Sequence, residues 1–191
     1  MKRVCVFCGS SLGAGSDYLA AARNLGRVLA ERGITLVYGG GSIGLMGALA
    51  DSALSAGGRV IGVIPDALSA TEVAHRGLSE LRVTESMHAR KAMMEDLSDA
   101  FVALPGGLGT FDELFEILTW AQLGIHRKPV GLINVAGYFD GLIRLLEHAV
   151  AEGFVRREHR ELLLVGEDPA SLLQRLAGHQ PRWVPKWVPR T

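Results

Sequence analysis

The chain has 191 residues, of which 48% are hydrophobic and 21% charged, and its 20 lysines and arginines balance 20 aspartates and glutamates. This length and composition predict one globular domain and exclude a disordered chain. The even charge balance lacks the basic excess typical of proteins that bind nucleic acid or anionic membranes. No apolar stretch reaches the roughly 18 residues that span a bilayer, and no signal-peptide pattern opens the chain. We therefore expect a cytoplasmic location, with neither a membrane nor a nucleic acid as partner.

Short apolar segments alternate with helical patterns along the chain. Strands are predicted at residues 4–8, 34–38, 60–64, 81–83, 101–104, 130–134 and 162–165. Helices are predicted at residues 17–32, after 47 as far as 56, at 87–97, from 110 onward, at 138–151 and at 169–176, with an irregular segment at 66–77. This pattern predicts an α/β fold in which a parallel sheet carries helices on both faces. We expect a single domain at residues 1–180 and an irregular tail at 181–191.

The two cysteines, Cys5 and Cys8, have C-x-x-C spacing within the first predicted strand. A thioredoxin-like motif would open a helix, whereas residues three apart on a strand point to opposite faces. We therefore predict a structural role for both thiols. Two cysteines are too few for a structural zinc site, and the six histidines show no metal-ligand spacing, so no metal is expected.

Glycine turns follow the strands that end at Cys8, Tyr38 and Leu104. Parallel sheets bind ligands beyond the carboxyl ends of their strands, so these turns are expected to surround the binding site. The second turn includes Gly40 and Gly41.

The second glycine turn, Gly39–Gly44, satisfies G-x-G-x-x-G between a strand and a helix, and Asp66 lies near the end of the next strand. This is the pattern of a dinucleotide-binding turn. Close approach of the backbone to a phosphate or a sugar explains the glycines equally well. Both interpretations remain open from the sequence.

The third glycine turn joins the strand at residues 101–104 to the helix that follows. The strand ends in Pro105, and three glycines precede Thr110. Free backbone N–H groups and the helix dipole make such a turn an anion site, for which a phosphate is the natural ligand. Thr110 and Glu113 also match the T-x-x-E capping box, in which Glu113 would fold back on the Thr110 N–H. The alternative has the turn holding a phosphate while Glu113 faces the substrate.

Arg90 falls within an apolar stripe of the helix predicted at 87–97, formed by Met87, Met93, Met94 and Leu97. An inward-facing arginine needs an anionic partner, and its planar fork suits a carboxylate or a phosphate. The alternative is an arginine whose head reaches water past the methionines. Lys91 lies off the stripe, where it could pair with Glu95 four residues later.

Two motifs together identify a family. Residues 105–113 match P-G-G-x-G-T-x-x-E, and Met-His-Ala-Arg-Lys at 87–91 lies upstream, after the Gly39-Gly40-Gly41 run. With these motifs the chain resembles the LONELY GUY (LOG) family of cytokinin riboside 5′-monophosphate phosphoribohydrolases over residues 7–161. Members have also carried the label lysine decarboxylase. The sequence does not support that label, because no lysine is placed as a cofactor Schiff base.

The resemblance implies a Rossmann-like homodimer that needs no cofactor and cleaves the N-glycosidic bond of a nucleoside 5′-monophosphate such as AMP. The products would be a free base and ribose 5-phosphate. By the same resemblance, Arg90 and Glu113 are the catalytic pair. The substrate-binding positions that we expect are Lys91, Gly106, Gly107, Gly109, Thr110, Glu72 and Thr119, together with Gly40 and Gly41 of the second turn.

The implied chemistry suits these residues. Breaking the ribosyl–base bond builds oxocarbenium character on the sugar, which a carboxylate such as Glu113 stabilises while it deprotonates the attacking water. A gripped phosphate orients the ribose. Arg90 could neutralise charge, hold Glu113 or assist departure of the base, and the sequence leaves these open. Two rival functions also remain: a nucleotide-binding module without turnover, such as a sensor, and a nicotinamide-dependent oxidoreductase.

Overall fold

The computed structural model describes residues 1–69, 74–180 and 184–185. Its strands are β1 (Arg3–Phe7), β2 (Thr35–Tyr38), β3 (Val60–Pro65), β4 (Glu80–Thr84), β5 (Ala100–Ala103), β6 (Val130–Ile133) and β7 (Leu163–Gly166). Within the described residues they form one sheet in the order β4-β3-β2-β1-β5-β6-β7, and each neighbouring pair is parallel.

The described helices are α1 (Ser16–Glu31), α2 (Gly44–Ser55), α3 (Asp66–Ser69), α4 (Met87–Asp96), α5 (Leu108–Leu123), α6 (Asp140–Ala151), α7 (Arg157–Arg160) and α8 (Pro169–Gly178). One apolar cluster packs α1, α2 and α8 against one face of the sheet. A second packs α4, α5 and α6 against the opposite face. The result is the three-layer α/β fold that the alternation of strands and helices predicted.

Strand β1 lies in the middle of the sheet and is buried on both faces. Val4 and Val6 belong to the first apolar cluster, whereas Cys5 and Phe7 belong to the second. Cys8 returns to the first cluster, so the two free cysteines face opposite layers, as predicted. Burial raises the pKa of both thiols above the ordinary range. Both therefore stay protonated and serve packing.

The strand order reverses between β1 and β5, since β2 to β4 extend to one side and β5 to β7 to the other. Such a switch point leaves a crevice beyond the carboxyl ends of the two strands. The turns after β1 and β5 are in contact there: the Gly9 N–H donates to the Pro105 oxygen at 3.1 Å. A Cβ on Gly9 would lie 3.2 Å from the Gly106 Cα, so the two backbones approach closely enough to leave little room for a side chain.

Several segments differ from the sequence prediction, among them the short helix α7, which was not predicted, and α2, which begins at Gly44 rather than after residue 47. Helix α5 begins at Leu108 rather than at Thr110, and α6 begins at Asp140 because a 3-10 turn occupies Val135–Gly137 before it. Asp66–Ser69, predicted to be irregular, forms the single turn α3. Local signals fix helix boundaries least well, because several residues near a turn can serve as the cap.

Most of the predicted tail at 181–191 lies outside the described residues, and so the boundary at residue 180 stays a prediction. Val184 and Pro185 are described, and their carbonyl oxygens accept hydrogen bonds from His159 and Arg156, respectively. Among the described residues, no helix combines the length and the apolar character that crossing a membrane requires.

Candidate active site

A cleft of about 420 Å³ opens at the switch point between β1 and β5. The turns after β1 and β2, the end of β3 and the first turns of α5 form its walls, and one side chain enters from α4. The described lining residues are Cys8, Gly9, Ser10, Gly39, Gly41, Ile43, Met46, Ile64, Leu68, Arg90, Gly107, Leu108, Gly109, Thr110 and Glu113.

The start of α5 presents backbone amides to this cleft. Gly107 is the N-cap, and the first helical hydrogen bond runs from the Phe111 N–H to the Gly107 oxygen at 3.1 Å. The N–H groups of residues 107–110 donate to no acceptor in the described part of the chain. Four unbound amides at the positive end of a 16-residue helix form an anion site of the kind that holds phosphate.

The glycines of this turn have two different uses. A Cβ on Gly106 would lie 2.1 Å from the Thr110 Oγ1 and 2.8 Å from the Gly9 nitrogen, so only glycine fits between the two turns. Gly106 itself lies behind the cleft wall. Gly107 and Gly109 have no neighbour within 4 Å of a built Cβ among the described residues, and they leave the amides open to a ligand.

The start of α2, which follows the G-x-G-x-x-G turn, is less available to an anion, because part of it is bonded within the protein. The Gly9 oxygen accepts hydrogen bonds from the N–H groups of Leu45 (3.0 Å) and Met46 (3.3 Å). Gly44 has a positive φ of 63°, and its Cβ would lie 2.2 Å from the Ser10 carbonyl carbon. These glycines let one protein segment pack against another, so the anion site belongs to α5.

The two glycines predicted in the second turn have different positions. Gly41 lines the cleft. Gly40 lies behind it with a positive φ of 75°, and its carbonyl accepts a hydrogen bond from the His75 N–H at 2.9 Å. Any contact of Gly40 with a substrate stays a prediction.

Arg90 enters the cleft from α4, which begins after Ser86, whose hydroxyl accepts a hydrogen bond from the Ala89 N–H. The Arg90 side chain is buried, with 8% of the residue exposed, and its Nε donates to the Val63 carbonyl at 3.0 Å. Its Nη1 lies 3.0 Å from the Glu113 Oε1. Arg90 is therefore an inward-facing, paired arginine and does not extend to water.

Glu113 lies one and a half turns into α5, with 7% of the residue exposed. The capping-box interpretation is wrong, because Gly107 is the N-cap and Glu113 pairs with Arg90 instead. Burial raises the pKa of Glu113 above its ordinary value, and the charge of Asp112 raises it further, while the Arg90 guanidinium opposes the shift. A carboxylate with a raised pKa is a better proton acceptor near neutral pH.

Lys91 does not pair with Glu95, although opposite charges four residues apart on a helix commonly pair. Its Nζ lies 3.0 Å from carboxylate oxygens of both Asp112 and Glu116, so it joins α4 to α5 beside the Arg90–Glu113 pair. Glu95 pairs with Lys128. Lys91 is not among the described residues that line the cleft. Its predicted contact with the nucleotide therefore remains a prediction.

Of the last two predicted positions, Thr119 is not among the described residues that line the cleft. Thr119 is exposed on the outer face of α5, and its hydroxyl donates to the Phe115 carbonyl at 2.7 Å. Glu72 lies outside the described residues.

Several lining residues are not among the substrate-binding positions named from the sequence, although the turns after β1 and β2 were expected to surround the site. Ser10 follows β1, Gly39 follows β2, and Ile64 is near the end of β3. A search of every strand end at the switch point would have found them. The described residues contain no group of three histidine, cysteine or acidic side chains that could hold a metal ion.

Comparison with known proteins gives independent evidence for the family of this chain. The family model described as "Possible lysine decarboxylase" matches residues 46–176. The "Probable cytokinin riboside 5′-monophosphate phosphoribohydrolase LOGL9" of Oryza sativa subsp. japonica is 52% identical over 180 residues, which cover 94% of this chain and 79% of the relative. The "Cytokinin riboside 5′-monophosphate phosphoribohydrolase LOG1" of Arabidopsis thaliana is 49% identical over 181 residues, which cover 95% and 85%.

Solved structures share the fold at lower identity. The molybdenum cofactor binding protein of Rippkaea orientalis has a TM-score of 0.70 at 23% identity, covering 93% of this chain and 97% of that one. The molybdenum cofactor carrier protein of Chlamydomonas reinhardtii has a TM-score of 0.69 at 24% identity, covering 93% and 98%. These similarities concern the fold alone.

Proposed function

This chain belongs to the LOG family of cytokinin riboside 5′-monophosphate phosphoribohydrolases, and on that premise we propose that it hydrolyses the N-glycosidic bond of adenine-type nucleoside 5′-monophosphates. The products are a free base and ribose 5-phosphate. One observation carries the proposal: the buried Arg90–Glu113 pair faces the same cleft as the unbound amides of residues 107–110. A helix end suits the phosphate, and a buried carboxylate suits the positive charge that forms on the ribose.

The proposed reaction needs only water as the second substrate. The bond from C1′ to the base nitrogen breaks, its electron pair leaves with the base, and the ribose takes on oxocarbenium character. The Glu113 carboxylate stabilises that charge and accepts a proton from the water whose oxygen bonds to C1′. The departing base takes up a proton from solvent. The phosphate, held on the α5 amides, keeps the ribose in register with Glu113.

Of the three roles that were open for Arg90, its contacts favour holding Glu113. The Nε is fixed by the Val63 carbonyl and the Nη1 by the carboxylate, so the guanidinium spans β3 and α5. Its positive charge also favours the ionised form of Glu113 against the effect of burial. We therefore assign Arg90 the task of orienting the carboxylate and tuning its pKa.

The proposed preference for adenine-type bases, with or without an N6 substituent, rests on one wall of the cleft. Four apolar side chains form it: Ile43, Met46, Ile64 and Leu68. Apolar walls with few polar groups suit a flat base and tolerate an apolar extension. AMP and N6-isopentenyladenosine monophosphate are the substrates that distinguish the two possibilities.

We further propose that the chain acts as a cytoplasmic homodimer that associates through the outer face of α5. Phe115 and Leu123, which are 39% and 43% exposed, lie on this face with Thr119 between them. Antiparallel packing of two copies of α5 about Phe115 would bring Thr119 of the partner subunit next to Asp112, whose neighbour Glu113 lines the cleft. That arrangement would reconcile the exposed position of Thr119 with its predicted contact to substrate.

The test is release of free base from the purified protein incubated with AMP and with N6-isopentenyladenosine monophosphate. We expect base from at least one of them. Binding of both without any base would favour a non-catalytic nucleotide-binding protein. Retention of NAD(H), seen by fluorescence titration, would favour the oxidoreductase. A lysine decarboxylase is disfavoured, because neither Lys91 nor Lys128 lines the cleft among the described residues, and both are ion-paired.

A further inference from the structure

Tyr138 lies outside both sequence motifs, yet it contacts the glycine turn at the start of α5. Its hydroxyl donates a hydrogen bond of 2.5 Å to the Gly106 carbonyl oxygen, 32 residues earlier in the chain. The two residues meet in a side cavity of about 290 Å³, which shares Gly9, Ser10 and Gly107 with the cleft. The tyrosine and the proposed phosphate site are therefore on two sides of one short backbone segment.

The peptide bond between Gly106 and Gly107 is the unit that this hydrogen bond orients. A trans peptide is planar, with its C=O and N–H pointing in opposite directions. Fixing the Gly106 carbonyl toward Tyr138 thus turns the Gly107 N–H away from Tyr138, and Gly107 lines the cleft. With glycine on both sides, side-chain sterics do little to prevent this peptide from rotating. A rotated peptide would aim a carbonyl oxygen at the bound phosphate.

The segment that carries Tyr138 is itself firmly held. The Asn134 side chain accepts a hydrogen bond from the Phe139 N–H at 2.8 Å and donates one to Asp140 at 2.7 Å. Between them, Ala136 adopts a left-handed conformation with φ of 49°, which L-residues adopt at a cost of about 1 kcal/mol. The Tyr18 ring packs edge-on against Tyr138, with the ring centres 5.7 Å apart. The hydroxyl is thereby directed at one carbonyl.

We propose that Tyr138 is a positioning residue of the phosphate site: by holding the Gly106 carbonyl, it keeps the Gly107 N–H facing the phosphate of the substrate. This inference rests on the proposed function, because it takes the α5 amides as the phosphate site. Tyr138 touches no reacting atom. Its effect is on the affinity and placement of the phosphate.

Equilibrium binding tests this without requiring turnover. Calorimetry would compare ribose 5-phosphate with adenosine, which lacks the phosphate, on the wild type, Tyr138→Phe and the control Tyr18→Phe. We expect Tyr138→Phe to bind ribose 5-phosphate about 3- to 10-fold more weakly, the value of one neutral hydrogen bond, with unchanged affinity for adenosine. Tyr18→Phe removes the neighbouring hydroxyl, keeps the bond to Gly106, and should bind both ligands as the wild type does.

Two results would overturn the assignment of Tyr138: wild-type affinity of Tyr138→Phe for ribose 5-phosphate, or equal losses for ribose 5-phosphate and adenosine, which would indicate a general distortion. Failure of the proposed function shows separately, in the wild type alone, as an absence of base release from nucleoside monophosphates. The phenylalanine keeps the ring packing, so Tyr138→Phe should stay folded with a melting temperature within about 4 °C of the wild type, and Tyr18→Phe should match the wild type.

Discussion

Arg90 Nη1 and Glu113 Oε1 lie 3.0 Å apart in a buried pair that joins α4 to α5. Both side chains are largely buried, and the Arg90 Nε donates a hydrogen bond to the Val63 carbonyl of β3. Removing one member of such a pair leaves an uncompensated buried charge. Arg90 and Glu113 therefore depend on each other for their placement in the cleft.

Glu113→Gln keeps the size of the side chain and removes its capacity to accept a proton. We expect the rate of base release from the preferred monophosphate to fall at least about 100-fold, the lower range for loss of an acid–base or charge-stabilising group. Ribose 5-phosphate affinity, measured by calorimetry, should stay close to that of the wild type, because the α5 amides are untouched. Near-normal turnover would remove Glu113 from the chemistry.

The raised pKa of Glu113 predicts opposite pH trends for stability and rate. An unfolded glutamate titrates near about pH 4.3, and the folded Glu113 at a higher pH. Between these values the native state holds a proton that the unfolded chain has lost, so the contribution to the free energy of unfolding falls as pH rises. In the proposed mechanism the ionised carboxylate is the active form, so the rate of base release rises over the same pH interval.

Urea denaturation from pH 4 to pH 8 checks the stability trend against Glu113→Gln. The difference in unfolding free energy, wild type minus variant, should decrease with pH and level off above the raised pKa. A flat difference, or a pH–rate profile with its acid limb at the ordinary glutamate value, would contradict the prediction.

Gly39→Ala, in the turn after β2, should lower activity by displacing the Arg90 side chain. Its Cβ would lie 2.1 Å from the Arg90 Nη2, and Arg90 cannot yield without leaving Val63 or Glu113. Misplacement of catalytic groups by about 1 Å costs on the order of 100-fold in rate, and we expect a loss of that order in kcat/KM. The control is Gly141→Ala in α6, which has no neighbour within 4 Å in the described residues and should keep the wild-type rate.

Lys91→Met should act through Glu113. The Lys91 charge lowers the pKa of Glu113, while Asp112 raises it. Losing the lysine should therefore shift the acid limb of the kcat/KM profile to higher pH with little change in KM. Lys128→Met, which breaks the Glu95 pair outside the cleft, should leave the profile unchanged. A large rise in KM for the monophosphate without a pH shift would instead support the direct contact with the nucleotide that the resemblance implies.

Phe115→Glu should convert the proposed dimer into a monomer, because it places a charge in the centre of the α5 face. Sedimentation velocity measures the change directly. Gln174→Glu, an exposed position on α8 in the opposite layer, introduces the same charge and should leave the dimer intact. A wild-type monomer, or a dimeric Phe115→Glu variant, would refute the proposed interface.

Most of the fold was predictable because its signals are local. Buried parallel strands read as continuous apolar runs, and the glycine turns mark where those strands end at the ligand edge. The inward position of Arg90 was predictable for the same reason, since a charge within an apolar helical stripe is rare without a partner. The family followed from two motifs whose spacing is visible in the sequence.

The side-chain partners of Glu113 and Lys91 were less predictable, because they depend on how α4 and α5 pack against each other. Thr110 and Glu113 match a capping box, yet the helix extends three residues further back to Gly107, and so Glu113 is inside it. Lys91 has an acidic residue at the favourable spacing on its own helix, but two carboxylates on α5 compete for it more effectively. Contacts between helices override the local rule at both positions.

The N-terminal amides of α2 and α5 differ in their hydrogen bonding, and this difference affects the stability of the ligand-free protein. The Gly9 carbonyl accepts hydrogen bonds from two amides in the first turn of α2, whereas the first four amides of α5 have no partner in the described chain. Native helices usually satisfy such groups with caps, and doing so here would stabilise the fold while closing the site. The native state thus gives up stability that a phosphorylated ligand bound at the proposed site would restore. The melting temperature should therefore be lowest in the absence of ligand. The concentration of substrate should then influence the lifetime of the folded protein as well as the rate of product formation.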